Sequence, residues 1–155
     1  MFMGTYENKV DQKGRVSLPA AFRTALAGLS FQGIVAFPSH RADAIEGCGI
    51  DFMEQLNARV QEFALFSETH DDLATTIFAE SHQLPFDSTG RIILPEDFRV
   101  HAGIADKAAF VGMGDLFQIW EPGRLAVHKA AARQRAREQR LTLPHPGNVP
   151  SRGGG

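Results

Sequence analysis

The sequence contains little cysteine and no long apolar segment. Cys48 is the only cysteine among the 155 residues, which excludes an intramolecular disulfide framework and a cysteine-based zinc cluster. No apolar run reaches the roughly 18 residues of a membrane-spanning helix, and the N-terminus lacks a signal-peptide pattern. We therefore expect a soluble, cytoplasmic protein, and its 43% apolar content suffices to bury a core.

Positive charge is also scarce, because the formal net charge is −2, which by itself argues against a nucleic-acid partner. The signs are segregated, however, and residues 41–82 hold nine acidic residues against two arginines. Such segregation can form a basic face on a nearly neutral protein. Ten of the 16 basic residues lie in residues 1–28 and 121–140: Lys9, Lys13, Arg15, Arg23, Arg124, Lys129, Arg133, Arg135, Arg137 and Arg140.

No catalytic or metal-binding constellation is evident. The six histidines are scattered without the spacing of metal ligands, and Gly112-Met113-Gly114 lacks the setting of a phosphate-binding loop. Cys48 has no cation cluster beside it that would lower its pKa, so we expect a half-buried, unreactive thiol. We expect neither an enzyme nor a bound cofactor.

The clearest feature that is present is an internal repeat of thirteen residues. Asp11-Gln12-Lys13-Gly14-Arg15-Val16-Ser17-Leu18-Pro19-Ala20-Ala21-Phe22-Arg23 recurs as Asp87-Ser88-Thr89-Gly90-Arg91-Ile92-Ile93-Leu94-Pro95-Glu96-Asp97-Phe98-Arg99. Asp, Gly, Arg, Leu, Pro, Phe and Arg are identical between the copies. One supersecondary unit is therefore used twice.

Each copy predicts a strand, a tight turn, a second strand and a short helix, with the two strands forming a hairpin. The aspartate opens the turn because its carboxylate can accept from backbone amides two residues on. Gly14 and Gly90 close the turns, at positions that need a positive φ. Pro19 and Pro95 stand at the start of each helix, where no amide donor is lost.

The rest of the chain predicts further matching elements. Residues 33–37 and 108–112 are expected to form equivalent buried strands, and segments near Ile45 and Ile119 short edge strands. Between the copies, Asp51 and Glu54 have the form of a capping box for a helix to about Leu65. A second helix is expected from Thr69 to about Glu80, and a C-terminal helix follows the second copy.

The two Asp-x-x-x-Arg copies, the opening Met1-Phe2-x-Gly4 and the chain length resemble the MraZ family of bacterial transcriptional regulators. That resemblance implies an α+β fold of two tandem AbrB-like swapped-hairpin β-barrel half-domains, related by pseudo-two-fold symmetry, with connecting helices and a C-terminal helix. The expected boundaries are 1–50 for the first repeat, 51–81 for the linking helices, 82–121 for the second repeat, 122–141 for the C-terminal helix and 142–155 for a disordered tail.

The resemblance also implies operator binding by the N-terminal copy, which carries over to Asp11, Lys13, Gly14 and Arg15. Residue chemistry agrees, because a two-stranded ribbon fits the major groove and the planar guanidinium of Arg15 matches guanine O6 and N7. Lys13 and Lys9 suit phosphates as point charges.

The second copy has Ser88 and Thr89 where the first has Gln12 and Lys13, so its tip is less basic. Arg91 is a candidate DNA contact, but a packing or interface role is at least as plausible. Asp11, Asp87 and Gly90 are assigned structural roles in the turns. In the alternative interpretation each Asp-Arg pair merely locks its turn, which stabilises an exposed site by about 0–1 kcal/mol.

Few basic residues per chain imply that affinity comes from several subunits acting on repeated sites. The resemblance implies a ring-shaped homo-oligomer on tandem direct repeats of double-stranded DNA, at the promoter of the division and cell-wall gene cluster, with repression as the outcome and the nucleoid as its location. Two alternatives stay open. One is an oligomeric protein-interaction scaffold in which the motif is purely structural, and the other is an antitoxin-like module.

Overall fold

The computed structural model describes residues 1–140 and 143–144, and it has the predicted α+β class. All but two residues of the predicted tail at 142–155 lie outside the described residues. The chain divides into two compact units, Met1–Pro122 and one that begins at Gly123. The strands are β1 Thr5–Lys9, β2 Arg15–Ser17, β3 Gly33–Pro38, β4 Ile45–Cys48, β5 His82–Pro85, β6 Arg91–Ile93, β7 Lys107–Gly112 and β8 Phe117–Trp120. The helices are α1 Ala20–Leu26, α2 Ile50–Val60, α3 Glu68–Ala74, α4 Glu96–Ala102 and α5 Pro122–Glu138, with a π-helical segment at Thr75–Ala79.

The strands form two antiparallel sheets in which the repeats exchange partners. The larger sheet has six strands in the order β1-β7-β8-β4-β3-β5, and the smaller sheet pairs β2 with β6. The first strand of each repeat therefore pairs with the third strand of the other, β1 with β7 and β5 with β3. Neither repeat can complete its sheet without the other.

Two expectations about strand pairing were wrong. The predicted hairpin is confined to the turn, where Val10 and Val16 form an isolated bridge, while β1 and β2 each pair elsewhere. The strands near Ile45 and Ile119 are not at an edge, because β4 and β8 pair with each other in the middle of the sheet. Periodicity within one repeat carries no information about pairing between repeats.

The repeats share one hydrophobic core, which contains most of the large apolar residues of both motif copies. Phe22 and Phe98, the equivalent phenylalanines, are both buried. Phe2 meets Phe22 and Phe117 edge to face, with ring centroids 5.2 and 4.9 Å apart. Such pairs add about 0.5–1.5 kcal/mol to the free energy of burial. The opening Phe2 therefore helps to hold the repeats together.

The motif helices begin one residue later than expected, because Pro19 and Pro95 are the N-cap residues of α1 and α4 and not their first helical residues. The capping box predicted at Asp51 was wrong, since the N-cap of α2 is Gly49, two residues earlier, and no side chain caps the helix. The next helix, α3, is capped by the Ser67 side chain, which accepts from the backbone amide of His70. A serine hydroxyl satisfies an amide that the first turn leaves unpaired.

No helix among residues 1–140 and 143–144 is both long and apolar enough to cross a membrane.

Candidate nucleic-acid interface

The first Asp-x-x-x-Arg turn is closed by one carboxylate. Asp11 Oδ1 accepts from the backbone amides of Lys13 and Arg15, each at 2.9 Å, and Oδ2 accepts from Arg15 Nε at 2.6 Å. Gly14 adopts a φ of +85°, as its place in the turn requires. The aspartate thus fixes both the turn and the root of the arginine side chain.

The second turn repeats this geometry. Asp87 Oδ1 accepts from the amides of Thr89 and Arg91 at 2.9 and 3.0 Å, and Oδ2 accepts from Arg91 Nε at 2.9 Å. The Thr89 hydroxyl adds a further hydrogen bond to Oδ1, and Gly90 has a φ of +77°. The two copies therefore present their arginines in the same way, and they differ in the chemistry of the turn tip.

Both carboxyl groups have pKa values below the ordinary value of 3.8. For Asp11 the hydrogen bond from the Arg15 backbone amide lowers the pKa most, and the Arg15 side chain and the Lys13 amide add to it. For Asp87 the largest cause is the backbone amide of Arg91. These bonds favour the ionised carboxylate, so the turns are built around a negative charge.

Acid should weaken both turns, and the double variant Asp11→Asn, Asp87→Asn tests this. The pKa of each aspartate is lower in the folded state than in the unfolded state. The ionised carboxylates therefore stabilise the fold fully above about pH 4, and this stabilisation disappears as pH falls through the folded-state pKa. Urea unfolding should therefore show the stability gap between wild type and variant narrowing only below about pH 4. A gap that stays constant down to strong acid would contradict the assigned role of the charge.

The two turns lie on one ribbon, the β2–β6 sheet. Arg15 is opposite Ile93 and Ser17 is opposite Arg91, so the two arginines are diagonal neighbours across the ribbon. Strand geometry places the Cα atoms of such neighbours roughly 7–8 Å apart. Val16 and Ile92 point into the core, and the alternate residues face outward. The side chains of Arg15 and Arg91 are 37% and 38% exposed.

Each turn is also tied to the opposite repeat. The amide of Leu94 donates to the carbonyl of Gly14 at 2.9 Å, and the amide of Leu18 donates to the carbonyl of Gly90 at 3.2 Å. These reciprocal bonds lie just past the ends of the ribbon strands. They fix the two turns relative to each other, so the outward arginines form a pair of defined spacing.

Two further arginines lie at the ribbon, and they were not predicted as site residues. Arg23 Nη1 donates to the Thr89 carbonyl of the opposite turn at 3.3 Å. Arg99 Nε donates to the Leu94 carbonyl at 3.3 Å, and its guanidinium lies beside Gly14. The signal was available, because this arginine is identical in both motif copies.

The residues of the two turns and their neighbouring arginines form one surface, which we call the basic ribbon. It comprises Lys13, Arg15, Arg23, Arg91 and Arg99 with Asp11 and Asp87. Its five cationic side chains outnumber its two carboxylates, so the basic ribbon carries net positive charge on a chain whose overall net charge is −2.

Lys9 occupies the end of the edge strand β1, where it is directly opposite Lys107 of β7, and both are exposed. Like charges in such a pair repel each other, and a bound anion would relieve the repulsion. Lys107 was not predicted, because only the register of β1 on β7 brings it to Lys9. Asn8 Nδ2 donates to the Ser17 carbonyl at 2.7 Å and connects this edge to the ribbon.

Cys48 is fully buried rather than half-buried as expected. Burial, and then the charges of Asp51 and Glu46, raise the pKa of its thiol to about 12. The thiol is therefore protonated at neutral pH and a poor nucleophile. Among the residues that the structure describes, no cluster of three or more His, Cys, Asp or Glu side chains could hold a metal ion.

Comparison with known proteins agrees with this geometry. A family model described as "MraZ protein, putative antitoxin-like" matches residues 1–35 and 77–144. The chain is 44% identical over 143 residues to a protein of Rickettsia akari (strain Hartford), covering 92% of this chain and 96% of the relative. It is 45% identical over 143 residues to one of Pelagibacter ubique (strain HTCC1062), covering 92% of each. It is also 46% identical over 136 residues to one of Rickettsia bellii (strain OSU 85-389), covering 88% of this chain and 91% of the relative.

The chain carries two Asp-x-x-x-Arg turns on one ribbon, within a duplicated α+β fold. It belongs to the MraZ family, on a match that includes both motif copies. Each of the three relatives bears the name Transcriptional regulator MraZ. This naming supports transcription regulation, rather than catalysis, as the role of the chain.

Proposed function

We propose that this protein is a sequence-specific DNA-binding transcriptional regulator that reads double-stranded DNA through the basic ribbon. The observation that carries the proposal is the position of Arg15 and Arg91, which project from one two-stranded ribbon at fixed spacing. The major groove is wide enough to admit a two-stranded ribbon. The names of the relatives support the same role.

The arginines are pre-oriented for guanine. Aspartate engages only the Nε of Arg15 and of Arg91, and among the described residues no other acceptor for either side chain is found. The two terminal nitrogens of each guanidinium remain for the O6 and N7 acceptors of guanine. The Asp-Arg pair is then both the lock of the turn and the support of the reading residue.

The spacing of the two arginines sets a scale for the site. Diagonal neighbours roughly 7–8 Å apart correspond to about two base-pair steps of 3.4 Å. One chain would therefore contact two guanines separated by about one base pair. The proposal therefore assigns base contacts to both Arg15 and Arg91. Lys13 and Lys9 contact the flanking phosphates, and Gly14 maintains the geometry of the first turn.

Lys13→Ala tests the phosphate role. The Lys13 backbone amide, which bonds to Asp11, survives this change, so the turn should keep its shape. Loss of one phosphate contact should reduce the slope of log affinity against log salt by about 1 per bound chain, on every sequence. Titrations by fluorescence anisotropy at several salt concentrations measure this slope.

Gln12→Ala is the matched control, because it alters the neighbouring exposed side chain without altering charge. Its salt slope should equal that of the wild type. A Lys13→Ala protein with an unchanged slope but altered sequence preference would show that Lys13 reads bases instead.

Self-association completes the proposal. The basic ribbon has a net charge of about +3. This charge is too small for one chain alone to bind DNA tightly and specifically at physiological salt. A ring of identical subunits on tandem direct repeats would multiply the contacts. The proposed target is the promoter of the division and cell-wall gene cluster, with repression as the outcome and a nucleoid-associated location.

The experiment that tests the function is a gel-shift titration of the assembled protein on DNA upstream of its own gene. Scrambled DNA of the same composition serves as competitor, and sedimentation velocity on the same sample reports the oligomer. We expect a ladder of complexes that resists the competitor. Equal affinity for both DNAs would refute sequence-specific reading.

A protein-interaction scaffold is the second candidate, and one surface favours it. Phe63, Leu65 and Phe66, which follow α2, are 46%, 63% and 84% exposed, and acidic residues flank them. Exposed apolar side chains of this size are typical of protein contacts. The gel-shift titration separates the candidates, because a scaffold would show no preference for the promoter DNA.

A further inference from the structure

A cavity of about 330 Å³ lies in the first unit, on the side of the central strands that faces α2. Its wall is mostly apolar, with Phe37 from β3, Phe52 and Leu56 from α2, and Ile77 from the π-helical segment. Its size falls at the lower end of the roughly 300–1,000 Å³ typical of small-molecule pockets. None of these side chains belongs to the basic ribbon.

A buried carboxylate lines this apolar cavity. Glu46 is only 3% exposed, and its Oε1 accepts from Gln118 Nε2 at 3.1 Å and from Arg41 Nη2 at 3.4 Å. Its Oε2 is also buried and has no hydrogen-bond partner among the described residues. An unpaired buried acceptor of this kind is costly, and a donor from a ligand would satisfy it.

No residue that the structure describes donates a hydrogen bond to this oxygen. Both polar groups of the Gln118 amide are in use, because its Oε1 accepts from Trp120 Nε1 at 2.9 Å while its Nε2 donates to Glu46 Oε1. Arg41, whose side chain is 67% exposed, already donates to Oε1 from the solvent side. Oε2 is therefore the acceptor that the fold leaves open.

Cationic groups complete the lining. Arg41 and Arg59 are exposed residues that border the same cavity as the buried Glu46. We propose that the cavity binds a small zwitterion with an apolar side chain, the chemistry of an apolar amino acid. The ammonium group donates to Glu46 Oε2, the carboxylate meets Arg41 and Arg59, and the side chain packs on Phe37 and Phe52.

Simpler ligands fit the lining less well. A plain alkylamine would satisfy Glu46 but would offer no anion to Arg59, and a plain carboxylate would leave Oε2 unpaired. The Cys48 thiol also lines the cavity, and burial raises its pKa to about 12, so it contributes packing and not covalent chemistry. Binding is accordingly reversible.

Isothermal titration calorimetry of the full chain with L-leucine tests the proposal. Isopentylamine lacks the carboxylate of L-leucine, and 4-methylpentanoate lacks its ammonium group. We expect saturable binding of L-leucine and affinities at least about tenfold lower for both analogues, since each loses a charge-assisted hydrogen bond. No saturable binding of L-leucine, or equal affinity for an analogue, would overturn the proposal.

Amino-acid substitutions test whether L-leucine binds in this cavity. Glu46→Gln should weaken L-leucine binding at least about tenfold, and Arg59→Ala, at an exposed position, should weaken it several-fold. Glu54→Gln on the same helix is the matched control, because it makes the same chemical change outside the cavity. Wild-type affinity in both Glu46→Gln and Arg59→Ala would mean that L-leucine binds elsewhere and would refute the site.

The analogue series on the wild-type protein decides the question even if Glu46→Gln does not fold. The titrations contain no DNA, so their failure would not affect the DNA-binding proposal.

Discussion

Arg15→Ala should reduce affinity for the specific DNA by about 5- to 150-fold per bound ribbon, the equivalent of one bidentate guanine contact. The fold should survive, because the Asp11–Arg15 pair lies at the surface and the backbone amides that close the turn are retained. Anisotropy titrations on specific and scrambled DNA would show the loss chiefly on the specific sequence.

Arg15→Lys is the matched control for charge. Lysine keeps the positive charge but lacks the planar fork, so it should retain binding to scrambled DNA while losing most of the preference. Arg91→Ala should have a similar effect, because its turn has the same geometry. An Arg15→Ala protein that still prefers the specific DNA as strongly as the wild type would contradict the assignment.

Gly14→Ala should destabilise the protein by about 2–5 kcal/mol. The φ of +85° alone costs an L-residue about 1–2 kcal/mol. The new Cβ would also lie 2.6 Å from the Leu94 carbonyl oxygen and 3.1 Å from Arg99 Nε, and such overpacking adds about 1–3 kcal/mol. Urea unfolding would measure the change in the free energy of unfolding.

Gly28→Ala separates the two contributions. Gly28 has nearly the same φ, +84°, but a Cβ there would have no atom within 4 Å. We expect Gly28→Ala to lower the free energy of unfolding only by the conformational cost of a positive φ, about 1–2 kcal/mol. Equal losses at Gly14 and Gly28 would show that the added Cβ at Gly14 is accommodated without cost and would contradict tight packing of the first turn on the second repeat.

Local chemistry predicted the turns well. The positive φ of Gly14 and Gly90, the amide bonds to both aspartates and the prolines at the helix starts all follow from residue types at fixed spacing. The partners of the strands could not be predicted in this way. A three-residue strand such as β2 can pair with any exposed neighbour, and the choice of β6 depends on the packing of the whole core.

The candidate site was predicted in part for the same reason. Asp11, Lys13 and Arg15 follow from the first motif copy alone. The position of Arg91 beside Arg15 depends on the register of β2 on β6. Lys107 likewise comes to lie opposite Lys9 only through the register of β1 on β7. Arg23 and Arg99 are identical in the two motif copies, but their positions beside the opposite repeat depend on the fold.

The charge pattern also needed the fold. The net charge of −2 argued against a nucleic-acid partner, and only the pairing of β2 with β6 brings the five cationic side chains of the two motif copies to one surface. Residues that are 76 positions apart in the chain, such as Arg15 and Arg91, then act as neighbours. The duplication therefore gives one polypeptide a complete two-turn surface.

A double-mutant cycle with 7-deazaguanine DNA tests guanine reading by the basic ribbon most directly. Removing N7 from the contacted guanine should weaken the wild type at least about fivefold and should cost Arg15→Ala almost nothing further. Penalties that simply add, with the modified base weakening both proteins equally, would show that Arg15 does not contact that guanine.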